Sequence, residues 1–126
     1  MYNHEEYVER NKPKKEVVYT DWRLPTIQEL LTLVDYSKYN PASSIDITSN
    51  YYWSSTTYED DDSSAWGVYF GNGYTYYYFK MDSLYVRCVR DSEHGLQWSD
   101  DAPSKMNWHE AMEYAKNLVA PARKDK

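Results

Sequence analysis

The chain has 126 residues, among them fifteen tyrosines, five tryptophans and one cysteine, and its 14 basic and 20 acidic side chains leave a net charge of −6. That length suits one domain with a core, and that charge excludes a binder of nucleic-acid backbones, which needs a basic stripe to displace counterions. A lone cysteine excludes an intrachain disulfide, and no apolar run reaches membrane-spanning length.

The opening MYNHEEYVERNKPKK has no apolar signal-peptide stretch, so a cytoplasmic product is expected as synthesised, with display on a virion or cell surface left open. Residues 4–11 read as a short polar helix ended by Pro13. The basic clusters Lys12–Lys15 and Arg123–Lys126 read as solvated ends. Val17, Val18 and Tyr19 predict a short strand. Thr26-Ile27-Gln28-Glu29 is a capping box, and Ile27, Leu30, Leu31 and Val34 recur at helical spacing, so a helix is expected over 27–35. A polar loop follows through Asn40–Ser44.

Strand patterns dominate next. Trp66, Val68 and Phe70 alternate with Gly67, Tyr69 and Gly71, the turn signal Gly71-Asn72-Gly73 follows, and Tyr74–Lys80 returns as a hairpin partner. Tyr85–Arg90 predicts a third strand with Val86, Cys88 and Val89 inside, Cys88 being a buried structural thiol. Gly95–Trp98 is a fourth short strand. Asn107 caps a second helix with Glu110 at its third position, an apolar face of Trp108, Ala111, Met112, Ala115, Leu118 and Val119, and a stop at Pro121. Two helices around a small, twisted, mostly antiparallel sheet make an α+β domain spanning the chain.

Tyr51–Arg90 holds nine of the fifteen tyrosines, mixed with Ser, Gly, Asn and Asp, a composition suited to recognition. One side of the 74–80 strand must be core. Thr75, Tyr77 and Phe79 continue the framework positions, so Tyr74, Tyr76 and Tyr78 are expected to face solvent as an interaction patch. Trp22, Trp53 and Trp66 are expected in the core, with Arg23, Arg87 and Glu29 as structural groups. Glu59-Asp60-Asp61-Asp62 offers oxygen atoms of the kind calcium takes, but without EF-hand spacing. A solvated loop, or contact with a basic partner, is the expected use. His4, His94 and His109 stand in scattered polar contexts and no serine has a nucleophile's setting, so no enzyme and no cofactor is expected.

Asp21-Trp22-Arg23-Leu24-Pro25-Thr26 with Glu29-Leu30, then Tyr52-Trp53-Ser54-Ser55, Ala65-Trp66-x-Val68-x-Phe70-x-x-Gly73, Lys80 and Val86-Arg87-Cys88-Val89-Arg90 resemble, in order, the signature of the Lcl-type domain. The resemblance implies a C-type-lectin-like fold of the formylglycine-generating-enzyme subclass. Relatives that oxidise a cysteine use two, whereas Cys88 is alone. The chain also resembles the variable proteins of diversity-generating retroelements, where framework residues interleave with positions diversified at adenines. In that family a Gly-Leu-x-Trp strand and a Trp-x-x-Ala-x-x-Tyr helix precede DWRLP. Here Gly95–Trp98 and Trp108–Tyr114 follow the VRCVR end. Circular permutation, a truncated second repeat and a swapped segment are the alternatives. The helix's apolar face favours permutation, with Trp108–Val119 packed on the sheet beside the 27–35 helix.

The resemblance and the residues together imply a non-catalytic ligand-binding protein. Its expected face comprises Tyr58, Asp60, Asp61 and Asp62; the hairpin residues Gly67, Tyr69, Asn72, Tyr74, Tyr76 and Tyr78; and Met81, Asp82, Ser83 and Leu84 in the following loop. The expected partner is a protein or surface glycan. The alternative is an assembly domain of a surface fibre or virion whose tyrosine face is a subunit interface.

Overall fold

The computed structural model describes residues 16–124, which form α1 (Ile27–Leu31), β1 (Tyr51–Thr57), β2 (Ser64–Tyr69), β3 (Tyr74–Phe79), β4 (Arg87–Ser92), β5 (Gly95–Asp101) and α2 (Trp108–Asn117). This is an α+β arrangement. The helix expected over 4–11 lies outside the described residues. None of the described helices is long and apolar enough to cross a membrane.

Both helices start where their caps dictate. Glu29 N–H donates to Thr26 Oγ1 at 3.2 Å and Thr26 N–H donates to Glu29 Oε1 at 2.9 Å. Glu110 N–H and Asn107 N–H repeat the exchange with the Asn107 and Glu110 side chains, both at 2.9 Å. Helix α1 is shorter than its apolar spacing predicts. The Thr32 hydroxyl donates to Glu29 O, and Leu33 and Val34 N–H donate three residues back, so the last turn tightens and ends. The strand expected at 17–19 reduces to one antiparallel bridge between Tyr19 and Ala120, with Val17 and Val18 exposed.

Strands β1, β2 and β3 form an antiparallel sheet in that order, and β4 pairs with β5 in a second sheet. The chain between β3 and β4 joins them: Tyr85 bridges Tyr52 in parallel, with Trp53 N–H donating to Tyr85 O at 3.1 Å and Tyr85 N–H to Tyr51 O at 2.9 Å. Arg23 lies along the other edge of β4, bridging Val89.

Adjacent residues of a strand point to opposite faces, and β1 uses this to join two cores. Tyr52 packs with Ile27, Leu30, Ile47, Val68 and Phe70, whereas Trp53 packs with Trp22, Leu24, Ala65, Leu84, Val86, Cys88, Ala111 and Ala115. Helix α2 does pack against the sheet, but on the Trp53 face. Helix α1 covers the Tyr52 face, so the two are opposed rather than side by side. Met112 and Val119, expected on the apolar face of α2, are exposed, and Tyr114 is half-buried. Helix α2 ends at Asn117 and Leu118 is already extended, which takes Val119 out of helical register.

Two ion networks brace the cores. The Arg87 guanidinium, 3% exposed, donates from Nε to Asp101 Oδ1 at 2.8 Å and from Nη2 to Asp46 O at 3.0 Å. The Tyr52 hydroxyl donates to the other Asp101 oxygen at 2.7 Å. Arg23 holds Glu29 with two bonds of 2.7 Å and also reaches Asp91. Arg23, Arg87 and Glu29 are structural, as expected. The Arg23 pair, first, and then the Thr26 backbone N–H hold the Glu29 carboxyl down at about 2, against an ordinary 4.5. A depressed carboxylate contributes stability that is present in full above its unfolded value and lost as pH falls through its folded one. Glu29→Gln is therefore expected to lower the melting temperature at pH 6, by the equivalent of about 1 kcal/mol for a partly exposed pair and cap. The gap between the two proteins should close between pH 4.5 and 2. A gap independent of pH would show that the carboxylate charge contributes nothing.

Candidate functional site

The hairpin β2–β3 follows β1 in register, which places aromatic rows across three strands: Tyr51, Tyr69 and Tyr74 in one, Trp53, Gly67 and Tyr76 in the next, then Ala65 and Tyr78. On this face Tyr51 stacks on Tyr69 with ring centres 4.4 Å apart, and meets Tyr78 edge-on at 5.2 Å. Tyr78 also touches Tyr76 and, beneath, the edge of buried Trp53 at 6.3 Å. Burial, and then its phenol neighbours Tyr51, Tyr76 and Tyr69, push the Tyr78 hydroxyl well above the ordinary tyrosine range, so it stays a neutral donor.

The opposite face carries a second cluster. Tyr58 and Tyr77 stack in parallel at 4.1 Å, and both stand edge-on to Trp66, at 5.2 and 5.8 Å. Acids rim it: Trp66 Nε1 donates to Glu59 Oε2 at 3.2 Å, and the Tyr58 hydroxyl donates to Asp60 Oδ2 at 3.4 Å. Asp61 braces the turn: the Ser63 hydroxyl and then the Ser63 N–H donate to it and hold its carboxyl below the usual range. Asp62 is exposed. Among the described residues no three His, Cys, Asp or Glu side chains are placed to hold a metal ion.

Several expectations need correction. Neither face of β3 is core: Tyr74, Tyr76, Tyr77 and Phe79 are 58, 39, 53 and 63% exposed, because β3 is the last strand and nothing described here covers it. Thr75, exposed with them, is no framework residue either, and Tyr78, assigned to solvent, is half-buried over Trp53. Trp66, expected in the core, is half-buried in the second cluster. Gly67 and Leu84 cannot contact a ligand through side chains. A Cβ at position 67 would lie 2.6 Å from Tyr52 O, so only glycine fits, and Leu84 is buried in the Trp53 core. Asn72 caps its own turn, its Oδ1 accepting from Tyr74 N–H at 3.0 Å, with Gly73 supplying the positive φ of +83° that the turn needs.

Tyr58, Asp60, Asp61, Asp62, Tyr69, Asn72, Tyr74, Tyr76, Met81, Asp82 and Ser83 do present surface, split between the two faces, the turns and the loop after β3. That loop is held by Lys80, whose Nζ donates to Thr57 Oγ1 at 3.0 Å and sits 4.1 Å from the centre of the Trp108 ring. Sequence reasoning missed Tyr51, Tyr77 and Phe79. The available signal was YTYYYF itself, which lacks the polar–apolar alternation of a half-buried strand.

A hollow of about 570 Å³ between the exit of α1 and the β4–β5 turn, walled by Leu33, Val34, Ile45, Leu96 and Trp98, holds none of the expected residues. The tyrosines border a shallower depression of about 410 Å³ lined by Leu31, Tyr36, Tyr74, Thr75 and Tyr76. Groups with nucleophilic or basic potential sit apart. Burial pushes the Cys88 thiol up to about 12, His94 pairs with Glu93 at an exposed turn, and His109 lies against Trp108.

The Lcl C-terminal domain family matches the chain over residues 1–90. No curated protein and no solved structure matches it.

Proposed function

The chain belongs to the Lcl C-terminal domain family, and from that premise we propose that it is a non-catalytic ligand-binding and display protein. The scaffold in this reading is C-type-lectin-like, with the strand and helix of residues 95–124 in permuted order. The observation that carries the proposal is the β2–β3 hairpin, which holds aromatic rings on both faces instead of burying one. Exposed contiguous aromatic surface of this kind is costly to solubility and is the usual mark of a recognition site. Rigid tyrosines would anchor a protein or glycan partner, and Asp, Asn and Ser side chains would satisfy its polar groups.

Diversification by a retroelement fits the expected binding positions apart from Gly67, where the Tyr52 carbonyl leaves no room for a side chain, and Leu84, which is buried in the Trp53 core. Sequencing the DNA around the gene tests this. A near-copy of codons 51–90 differing at adenines, beside a reverse-transcriptase gene, is expected, and its absence leaves a fixed binder.

Tyr74→Ala with Tyr76→Ala is expected to leave the melting temperature almost unchanged, since both side chains are exposed. The same pair should weaken binding to any partner found on a glycan array or a displayed surface-protein panel by about 30-fold, as for hot-spot tyrosines. Unchanged affinity would remove that face from the site. The outer edge of β3, with which no strand pairs among the described residues, favours a second reading, a subunit interface in an assembly. A sedimentation coefficient that rises with concentration in the wild type, and is flattened by the same pair, would support it.

A further inference from the structure

Phe70 N–H, just past β2, donates to Asn50 O at 2.9 Å, so Phe70 and, two residues before it, Val68 turn their backbone groups toward β1. Tyr69, Gly67 and Ala65 turn the other way, toward Tyr74, Tyr76 and Tyr78 of β3, and Lys80 N–H continues that ladder to Ser63 O at 2.8 Å. The N–H and C=O of Thr75 and Tyr77, and the N–H of Phe79, therefore point outward. The Phe79 carbonyl is taken by Asp82 N–H at 2.9 Å. Among the described residues no strand pairs with this edge.

Edges are ordinarily blunted by proline, charge or a bulge, and YTYYYF has none of these. Two receptacles include edge residues that alternate along β3, Thr75 and Tyr77, about 7 Å apart like alternate side chains of an added strand; Trp66 joins the second from β2. Beside Thr75 is the 410 Å³ depression lined by Leu31, Tyr36, Tyr74, Thr75 and Tyr76. Beside Tyr77 are the rings of Trp66 and Tyr58 with the Glu59 and Asp60 carboxylates.

We propose that the outer edge of β3 takes an extended segment of a protein partner as a fourth strand, with an apolar side chain in the depression and a basic one, two residues along, over the Tyr77 ring. Main-chain bonds to Thr75 and Tyr77 supply affinity and the two receptacles supply selection. Charge chooses the basic residue: the chain carries −6, four consecutive acids flank the second cluster, and a guanidinium gains both a carboxylate and an aromatic face. A second copy would bring the same acidic turn and fits less well. The inference rests on the binding role proposed above and narrows its partner to a protein.

The test uses the full chain, labelled with nitrogen-15, and the blocked hexapeptide acetyl-TVTRTV-amide. Expected results are chemical-shift changes and slowed exchange at the Thr75, Tyr77 and Phe79 amides. A peptide with glutamate in place of arginine should bind at least about tenfold more weakly. Thr75→Pro removes an outward N–H that makes no bond to β2, so it should preserve the melting temperature while costing about tenfold or more in peptide affinity. Peptide affinity undiminished in Thr75→Pro, or shifts without protection at Thr75 and Tyr77, would overturn the proposal. So would edge amides already protected without peptide, whether they are released on dilution (a second copy) or are independent of concentration (this chain's own residues). A glycan bound equally by wild type and Thr75→Pro, with no peptide binding, would sink the edge and leave the broader binding role standing.

Discussion

A chain cut after His94 is expected to lose cooperative unfolding altogether. The cut removes β5, the antiparallel partner of β4, and with it Asp101, the carboxylate that holds buried Arg87. It also removes Ala111 and Ala115, which close the Trp53 core, and Met106 O, which accepts the Trp53 indole N–H at 2.9 Å. The Trp108 indole N–H, which donates to Ser54 O at 3.0 Å, goes too. An unpaired buried charge alone costs about 3–5 kcal/mol, and small domains have only about 5–15 kcal/mol in all. Far-UV circular dichroism of residues 1–94 should show a broad, featureless thermal trace beside a sharp one for the whole chain. A sharp transition near the full chain's would show that the family-matched part, residues 1–90, stands alone.

Asp101→Ala is the largest single-residue effect expected, about 3 kcal/mol measured by urea unfolding. The carboxylate serves two buried groups at once, accepting from Arg87 Nε and from the Tyr52 hydroxyl. Truncating it leaves the guanidinium, whose Nη1 has no hydrogen-bond partner among the described residues, with the Asp46 carbonyl there. The lost counter-charge of a buried cation dominates, because Asp101 is small and partly exposed and its removal costs little packing. Asp101→Asn keeps an acceptor and should recover part of the loss. Arg87→Met with Asp101→Leu, which removes both charges, should cost less than Asp101→Ala. If the double variant is the less stable, pairing rather than desolvation governs the site.

The elements that sequence made legible are those whose signal is local. The capping boxes at Thr26 and Asn107, the turn at Gly71–Gly73 and the burial of Val86, Cys88 and Val89 all appear where the residues put them. What stayed hidden depends on position in the sheet. Alternation says that Tyr74, Tyr76 and Tyr78 share a face, but not whether any face of that strand is covered. The packing of both helices over β1 and β2, short of β3, decides this, and it is a long-range fact. The same limit applies to Trp66, whose ring meets Tyr58 and Tyr77 at the border of the Tyr52 core, and to Gly67, whose necessity comes from a carbonyl on the neighbouring strand. The opposed placement of the helices was hidden for a related reason: it follows from Tyr52 and Trp53 being consecutive, each committed to a different core.

The bridge between Tyr19 and Ala120, with N–H···O distances of 2.9 and 3.2 Å in its two directions, has an engineering consequence. The two ends of the described chain leave the body side by side, next to Gln97 of β5, while β3 closes the other end of the strand succession. A domain with neighbouring ends can be spliced into a surface loop of a carrier without stretching either junction. Grafted this way, it would be rooted by its β5 side, and the tyrosine hairpin would stand at the margin remote from the graft.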